Sequence, residues 1–132
     1  MANYQSFKLP KRIANVCFKL QKASKHLHQA SSSIGFIEKC MQNHIIPKFA
    51  TVNGQFTSPA EKSQVERQVM ASHRLKHIEK ANQASLQSCN LKNELTSQCG
   101  PVLGRLLINK AENALISEIT KNQEQQDLED VD

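Results

Sequence analysis

Lysines spaced three and four residues apart near the N-terminus are the first chemistry this sequence offers. Lys8, Lys11, Lys19 and Lys22 recur in step with Asn15 and His26, a spacing that puts them on one side of a helix. Ammonium groups in such a row neutralise phosphates and release the counterions condensed on a polyanion. Residues 1–57 hold eight Lys and Arg (Lys8, Lys11, Arg12, Lys19, Lys22, Lys25, Lys39 and Lys48) against one acid, Glu38. Residues 124–132 hold five acids and no base, and 58–123 hold nine bases against six acids. The formal net charge of +5 therefore understates a strongly basic N-terminal half. A polyanion is the partner this distribution fits, nucleic acid being the commonest. An ordinary helix also wants its solvated side charged, but Lys11 and Lys19 have no acid three or four residues away to neutralise them. The eight cations are thus the candidate nucleic-acid-binding residues. With aromatic content at 5%, base stacking is a minor contribution and sequence specificity weak. The same helix would need aromatic anchors to hold a membrane surface, and it offers only Phe18.

Other reactive groups fall short of a site. His73 and His77 are four apart, on one helical face, which suits a metal, yet no Glu follows His73 and no third ligand is evident. His26 and His28 point to different faces. Cys89 and Cys99 lack the close spacing of structural zinc sites. There is no Gly-rich phosphate loop, no Gly-x-Ser-x-Gly, and no Asp before Asp127. The seven Glu residues that precede the tail lie scattered at helix-surface spacings. No enzyme activity, cofactor or metal site is expected.

Several helices must position these groups. Pro10 is a good helix-starting residue, and Ile13, Val16, Cys17, Leu20, Ala23, Leu27 and Ala30 follow as an apolar stripe. Ser31–Ser33 suggest a bend or short break, with Ser33 capping a second helix through Ile34, Ile37, Cys40 and Met41 to about Asn43; one unbroken helix is the alternative, since the apolar phase survives the serines. Ile46-Pro47 stops this run. Residues 45–57 are the only strand-like stretch and contain the turn signal Asn53-Gly54. A small hairpin there is too short to stand alone, so an extended loop whose Ile45, Ile46, Phe49, Val52 and Phe56 pack across the helices is the preferred reading. Ser58-Pro59-Ala60-Glu61 reads as a capping box. It opens a long helix with Val65, Val69, Ser72, Leu75, Ile78, Asn82, Leu86 and Cys89 on one side, a stripe broken by polar residues that then shifts phase to Leu91 and Leu95. Gly100-Pro101 ends that helix, and a last one runs from about Pro101 to Lys121.

Length and composition agree with a single all-α domain over 1–121, of about four helices in a bundle, followed by an acidic tail at 122–132. The 132 residues include only four Gly and four Pro, too few for the turns of a β-rich protein. The tail has no periodicity and is expected to be disordered. It is read as a solubilising end or linker, in preference to a competitor for the basic helix. No apolar run reaches membrane-span length, and no signal peptide is evident. An intracellular setting, cytoplasm or nucleus, with reduced cysteines, follows as the expectation.

The segment from Ile34 to Phe49 resembles a motif near the N-terminus of Penelope-like and related retroelement reverse transcriptases. That motif pairs Φ-x-F-[LI]-x-x-C with a following [IV]-I-P-K-[GF]. The matching residues are Phe36, Ile37, Cys40, Ile45, Ile46, Pro47, Lys48 and Phe49. A basic helix before the motif and long polar helices after it extend the likeness in pattern over about residues 10–120. The resemblance implies the accessory helical region of such a polymerase, gripping template or element RNA. It carries over no catalytic residue, because a Tyr-x-Asp-Asp-like motif and the palm strands are missing from this sequence. The motif residues are mostly apolar, which points to packing more than chemistry. The expected function is therefore a non-catalytic nucleic-acid-binding helical module, RNA favoured over DNA. The rival is a helical interaction module that self-associates through the helix 59–99, with Asn82 as a register-setting polar contact.

Overall fold

The computed structural model describes residues 9–130, with side chains over 9–115. Two long helical runs make up most of it: α1 (Lys11–Gln42) and α2 (Pro59–Asp130), joined by a segment with one 3-10 turn at Lys48–Ala50. No strand occurs among the described residues. The chain is all-α as expected, but two long helices replace the expected four, and there is no hairpin at 45–57.

α1 passes through Ser31–Ser33 without a break. Serine weakens a helix by less than about 0.7 kcal/mol per residue, and the buried seam runs on past all three. Ile13, Val16, Leu20, Ala23, Ala30 and Ile37 are buried, with Leu27 and Ile34 half-buried between them. The steps alternate three and four, the seven-residue rhythm that keeps a seam facing its partner over many turns. The helix ends in a Schellman motif, ahead of Ile46-Pro47. The Ile45 N–H donates to the Cys40 carbonyl at 2.9 Å and the His44 N–H to that of Met41 at 3.5 Å. His44 sits at φ 56°, where glycine is usual.

α2 starts on the expected cap. Ser58 Oγ accepts the Glu61 N–H at 3.2 Å, and the Glu61 carboxylate reaches back to the Thr57 N–H at 2.9 Å and to the Thr57 hydroxyl. Gly100, at φ 84° and ψ 167°, interrupts the run. Lys92 Nζ lies 3.1 Å from Glu112 Oε1, whereas twenty residues of straight helix would separate them by about 30 Å. Within the stretch from Ala84 onward, the helical segments on either side of Gly100-Pro101 therefore fold back on one another. Gly104 makes the return possible: a Cβ there would lie 2.9 Å from the Thr96 Cα and 3.2 Å from the Leu95 carbonyl oxygen.

Over 122–130, where a disordered tail is expected, the backbone is helical. No Gly or Pro follows Gly104, so an established helix propagates through Gln, Glu and Leu without a stop. Missing apolar periodicity removes a packing face, not helix propensity. Val131 and Asp132 lie outside the described residues.

The chain divides into two compact units. One takes residues up to Lys25 and those from Ala84 onward; the other is His26–Gln83. The first is built on Ile13, Val16, Leu20, Ala23, Leu91, Leu95, Leu107 and Ala111, with Leu9, Cys17, Cys99, Leu103 and Ile108 against them. The second has a smaller core of Ile37, Cys40, Ala50 and Met70, backed by Ile46 and Val69.

The apolar face expected on the arm 59–99 is met only in part: Leu91 and Leu95 are buried as expected and Val65, Val69 and Ile78 are half-buried, but the rest of the stripe is misplaced. The buried positions are Glu66, Met70, Ala84, Ser88, Leu91 and Leu95, while Leu75 and Leu86 are 59% and 64% exposed. In the joining segment Ala50 is the buried anchor and Ile46, Val52 and Phe56 are half-buried, whereas Ile45 is exposed and Phe49 stays exposed beside His73.

Candidate nucleic-acid interface

In the first unit, α1 presents its cations outward because the seam takes Ile13, Val16, Leu20 and Ala23 inward. Lys11, Arg12, Lys19, Lys22 and Lys25 are all exposed. They share the side of the helix turned away from the seam: Lys11, Lys22 and Lys25 follow the line of Asn15 and Phe18, and Arg12 and Lys19 the adjoining line of His26. The Lys22 ammonium sits 5.1 Å from the Phe18 ring centroid, a cation–π contact that leaves the charge solvated. Phe18, over half exposed, also borders an apolar groove with Leu9, Cys17, Leu107 and Ala111. Burial pushes the Cys17 thiol above its ordinary value and neighbouring Cys99 adds to this, while Lys110 pulls the other way. Lys8 lies outside the described residues.

The remaining two predicted cations, Lys39 and Lys48, belong to the second unit and are exposed there. The acids of that unit are largely engaged. Arg74 donates to Glu38 Oε1 through Nη2 at 2.9 Å and Nε at 3.2 Å. Glu66 is buried and accepts the Val52 N–H at 3.2 Å, which ties the joining segment to α2, and Glu61 holds its cap. Glu61 stays ionised below the usual carboxylate range because it accepts the Thr57 hydroxyl and N–H. The Arg67 guanidinium lies 3.0 Å from His44 Nδ1, which leaves that ring nitrogen as the acceptor.

The structure also assembles a site that the sequence did not announce. An open groove of about 480 Å³ is lined by Ser32, Ser33, Phe36 and Ile37 of α1, Phe49, and His73 and His77 of α2. Phe36 is 55% exposed and Phe49 43%. The Phe49 and His73 rings stand 4.7 Å apart, tilted by 58°. The four-residue spacing of the histidines does place both on one face, but nothing local links them to Phe36 or Phe49. Only the apolar motif at 34–49 marks that region, and packing alone does not use it up: Ile37, Cys40 and Ile46 pack inward, while Phe36, Ile45 and Phe49 face out.

Among the described residues no group of three or more His, Cys, Asp or Glu is arranged to hold a metal, and no helix is long and apolar enough to cross a membrane. No protein-family model, curated protein or solved structure matches this chain.

Proposed function

We propose that the chain is a non-catalytic helical module that binds nucleic acid, RNA in preference to DNA, through the phosphate backbone. The observation that carries this reading is the outward row of Lys11, Arg12, Lys19 and Lys22, which make no ion pair among the described residues. Charges held on a helix but left unneutralised attract a phosphate chain and discharge its counterions. The resemblance of residues 34–49 to the N-terminal motif of Penelope-like reverse transcriptases favours RNA and suggests a role beside a polymerase, gripping template. Exchange of Lys11, Lys19 and Lys22 for Gln tests it, by titration into labelled single-stranded RNA at about 50 and about 200 mM salt. Affinity should fall, and the slope of log K against log salt should become shallower by about 2, at about 0.7 per phosphate on a single strand, with helicity unchanged by circular dichroism. Binding that survives with its slope unaltered overturns the reading.

A second reading, self-association through the arm 59–99, rests on Leu75 of the second unit and Leu86 of the first, each more than half exposed. A dimeric mass and helicity that rises with concentration would favour it.

A further inference from the structure

The groove of the second unit has an occupant class written into its walls. Two aromatic rings, Phe36 and Phe49, remain about half exposed, although the unit's core is small and both would gain by burial. They face imidazoles at His73 and His77 and hydroxyls at Ser32 and Ser33. No acid lines the groove. A purely apolar ligand would leave those imidazole and hydroxyl groups without partners, which is costly once water is displaced. A planar heterocycle with polar edges uses both kinds of wall, its face on the rings and its edge on the donors and acceptors.

The surrounding charge says what that heterocycle is attached to. Lys48 adjoins Phe49, Lys39 lies three residues beyond Phe36, and Lys76 and Lys80 lie three beyond His73 and His77. None of these lysines has an ion pair among the described residues. Of the unit's acids, Glu38 and Glu66 are occupied by Arg74 and by the Val52 N–H, Glu61 holds the cap of α2, and Glu79 does not line the groove. A flat, polar-edged ring carried on a phosphate chain is a nucleotide.

We propose that this groove takes one unstacked nucleobase of a single-stranded nucleic acid, stacked against Phe36 and Phe49, with its phosphates facing Lys39 and Lys48. The proposal rests on the nucleic-acid reading above and adds to it: the lysine row of the first unit binds any phosphate backbone, whereas the groove selects single strands. A duplex keeps its bases stacked, and the rings cannot reach a base face.

The test uses the full chain, with imidazole resonances of His73 and His77 followed by NMR during titration with a single-stranded RNA, a duplex of the same length, and adenosine monophosphate. The single strand and the mononucleotide should shift both histidines; the duplex should not. Replacement of Phe36 and Phe49 by Leu should lower single-strand affinity by about 5- to 150-fold, the range for losing one base–aromatic stack, and leave duplex affinity and the salt slope unchanged. Because both rings are already exposed, these variants should fold, and circular dichroism checks that they do. If the ring variants bind single strands like the parent while the lysine variants weaken, the groove proposal is wrong and the electrostatic reading stands. If the parent binds no nucleic acid, the electrostatic reading fails and the mononucleotide decides the groove: unmoved histidines at millimolar nucleotide overturn it. Histidine shifts that track protein concentration alone assign the groove to contact between copies of the chain, and also overturn it.

Discussion

The two units solve the same packing problem with different materials. The first wraps three helical segments around large aliphatic side chains, with Leu20 and Leu95 wholly buried. Its exposed face can then be given over to lysine without loss. The second closes around four buried residues and relies on polar ties: Glu66 to the Val52 N–H, Arg74 to Glu38, Arg67 to His44. Hydrophobic burial is roughly proportional to area and indifferent to direction, whereas such ties fix geometry and, where exposed as at Arg74–Glu38, add at most about a kilocalorie each. The first unit thus has the larger apolar core under its charged surface. The second has less core, a specific shape, and aromatic side chains left over for its groove. Two cores of such different size make the units candidates for unequal local stability, as regions of one protein commonly are.

The largest test of this contrast is truncation of one wholly buried side chain in each core. Leu20→Ala should cost about 2–5 kcal/mol, because aliphatic neighbours on several sides lose their contacts and cannot all close the void. Met70→Ala should fall near the lower limit, about 2 kcal/mol, since Met70 already borders a cavity of about 150 Å³ with Cys40, His44 and Arg67. Hydrogen exchange read by unit separates the two: Leu20→Ala should drop protection chiefly in 11–25 and 84–115, Met70→Ala in 26–83. Equal losses everywhere for both variants would mean one cooperative block and would break the comparison.

The same contrast explains what is legible in the sequence. The α1 seam can be read residue by residue, because over 13–20 burial follows size: Ile13, Val16 and Leu20 are both large apolar residues and buried ones. The arm 59–99 cannot be read that way. Glu66, Ala84 and Ser88 are buried but carry no hydropathy signal, and Leu75 and Leu86, which do, lie outside. The expected stripe therefore sits about one residue off the real one. The serine triplet misleads through propensity, a few tenths of a kilocalorie that a packed seam overrides. At Gly100-Pro101 the stop signal is plain in the sequence, yet the reversal it permits depends on Gly104 meeting Thr96, a contact no local pattern encodes. The candidate lysines are visible because charge needs no partner to be exposed. The groove is hidden because its four ring residues come from three separate segments.

Gly104 offers the next test, confined to the first unit. In an ordinary helix, Ala in place of Gly is favourable by about 1 kcal/mol. Here the added Cβ meets backbone atoms at 2.9 and 3.2 Å, and backbone cannot rotate away as a side-chain tip would. Gly104→Ala should be net destabilising by about 1–3 kcal/mol, the usual cost of overpacking, in chemical denaturation. Protection in 26–83 should be untouched. A neutral or stabilising outcome would show that the return arm is free to shift, and that the first unit is less rigid than its core composition implies.

The smallest effect belongs to the second unit and is a pH effect. Glu61 is ionised more readily than an ordinary carboxyl group because the Thr57 hydroxyl and N–H donate to it. Its pKa is lower in the folded state than in the unfolded one, so its contribution is fully present above the ordinary value of 4.5 and is lost as pH falls through the lower folded value. The Thr57 and Glu61 amides should therefore lose protection over that acid window while the α1 seam at 13–23 keeps its own. Glu61→Gln retains an acceptor but removes the charge, and should give the same local protection at every pH in the window. If the wild-type amides show no acid step, or if the Glu61→Gln variant shows the same step as the wild type, the cap is not held by the carboxylate and the second unit loses one of the polar ties that distinguish it from the first.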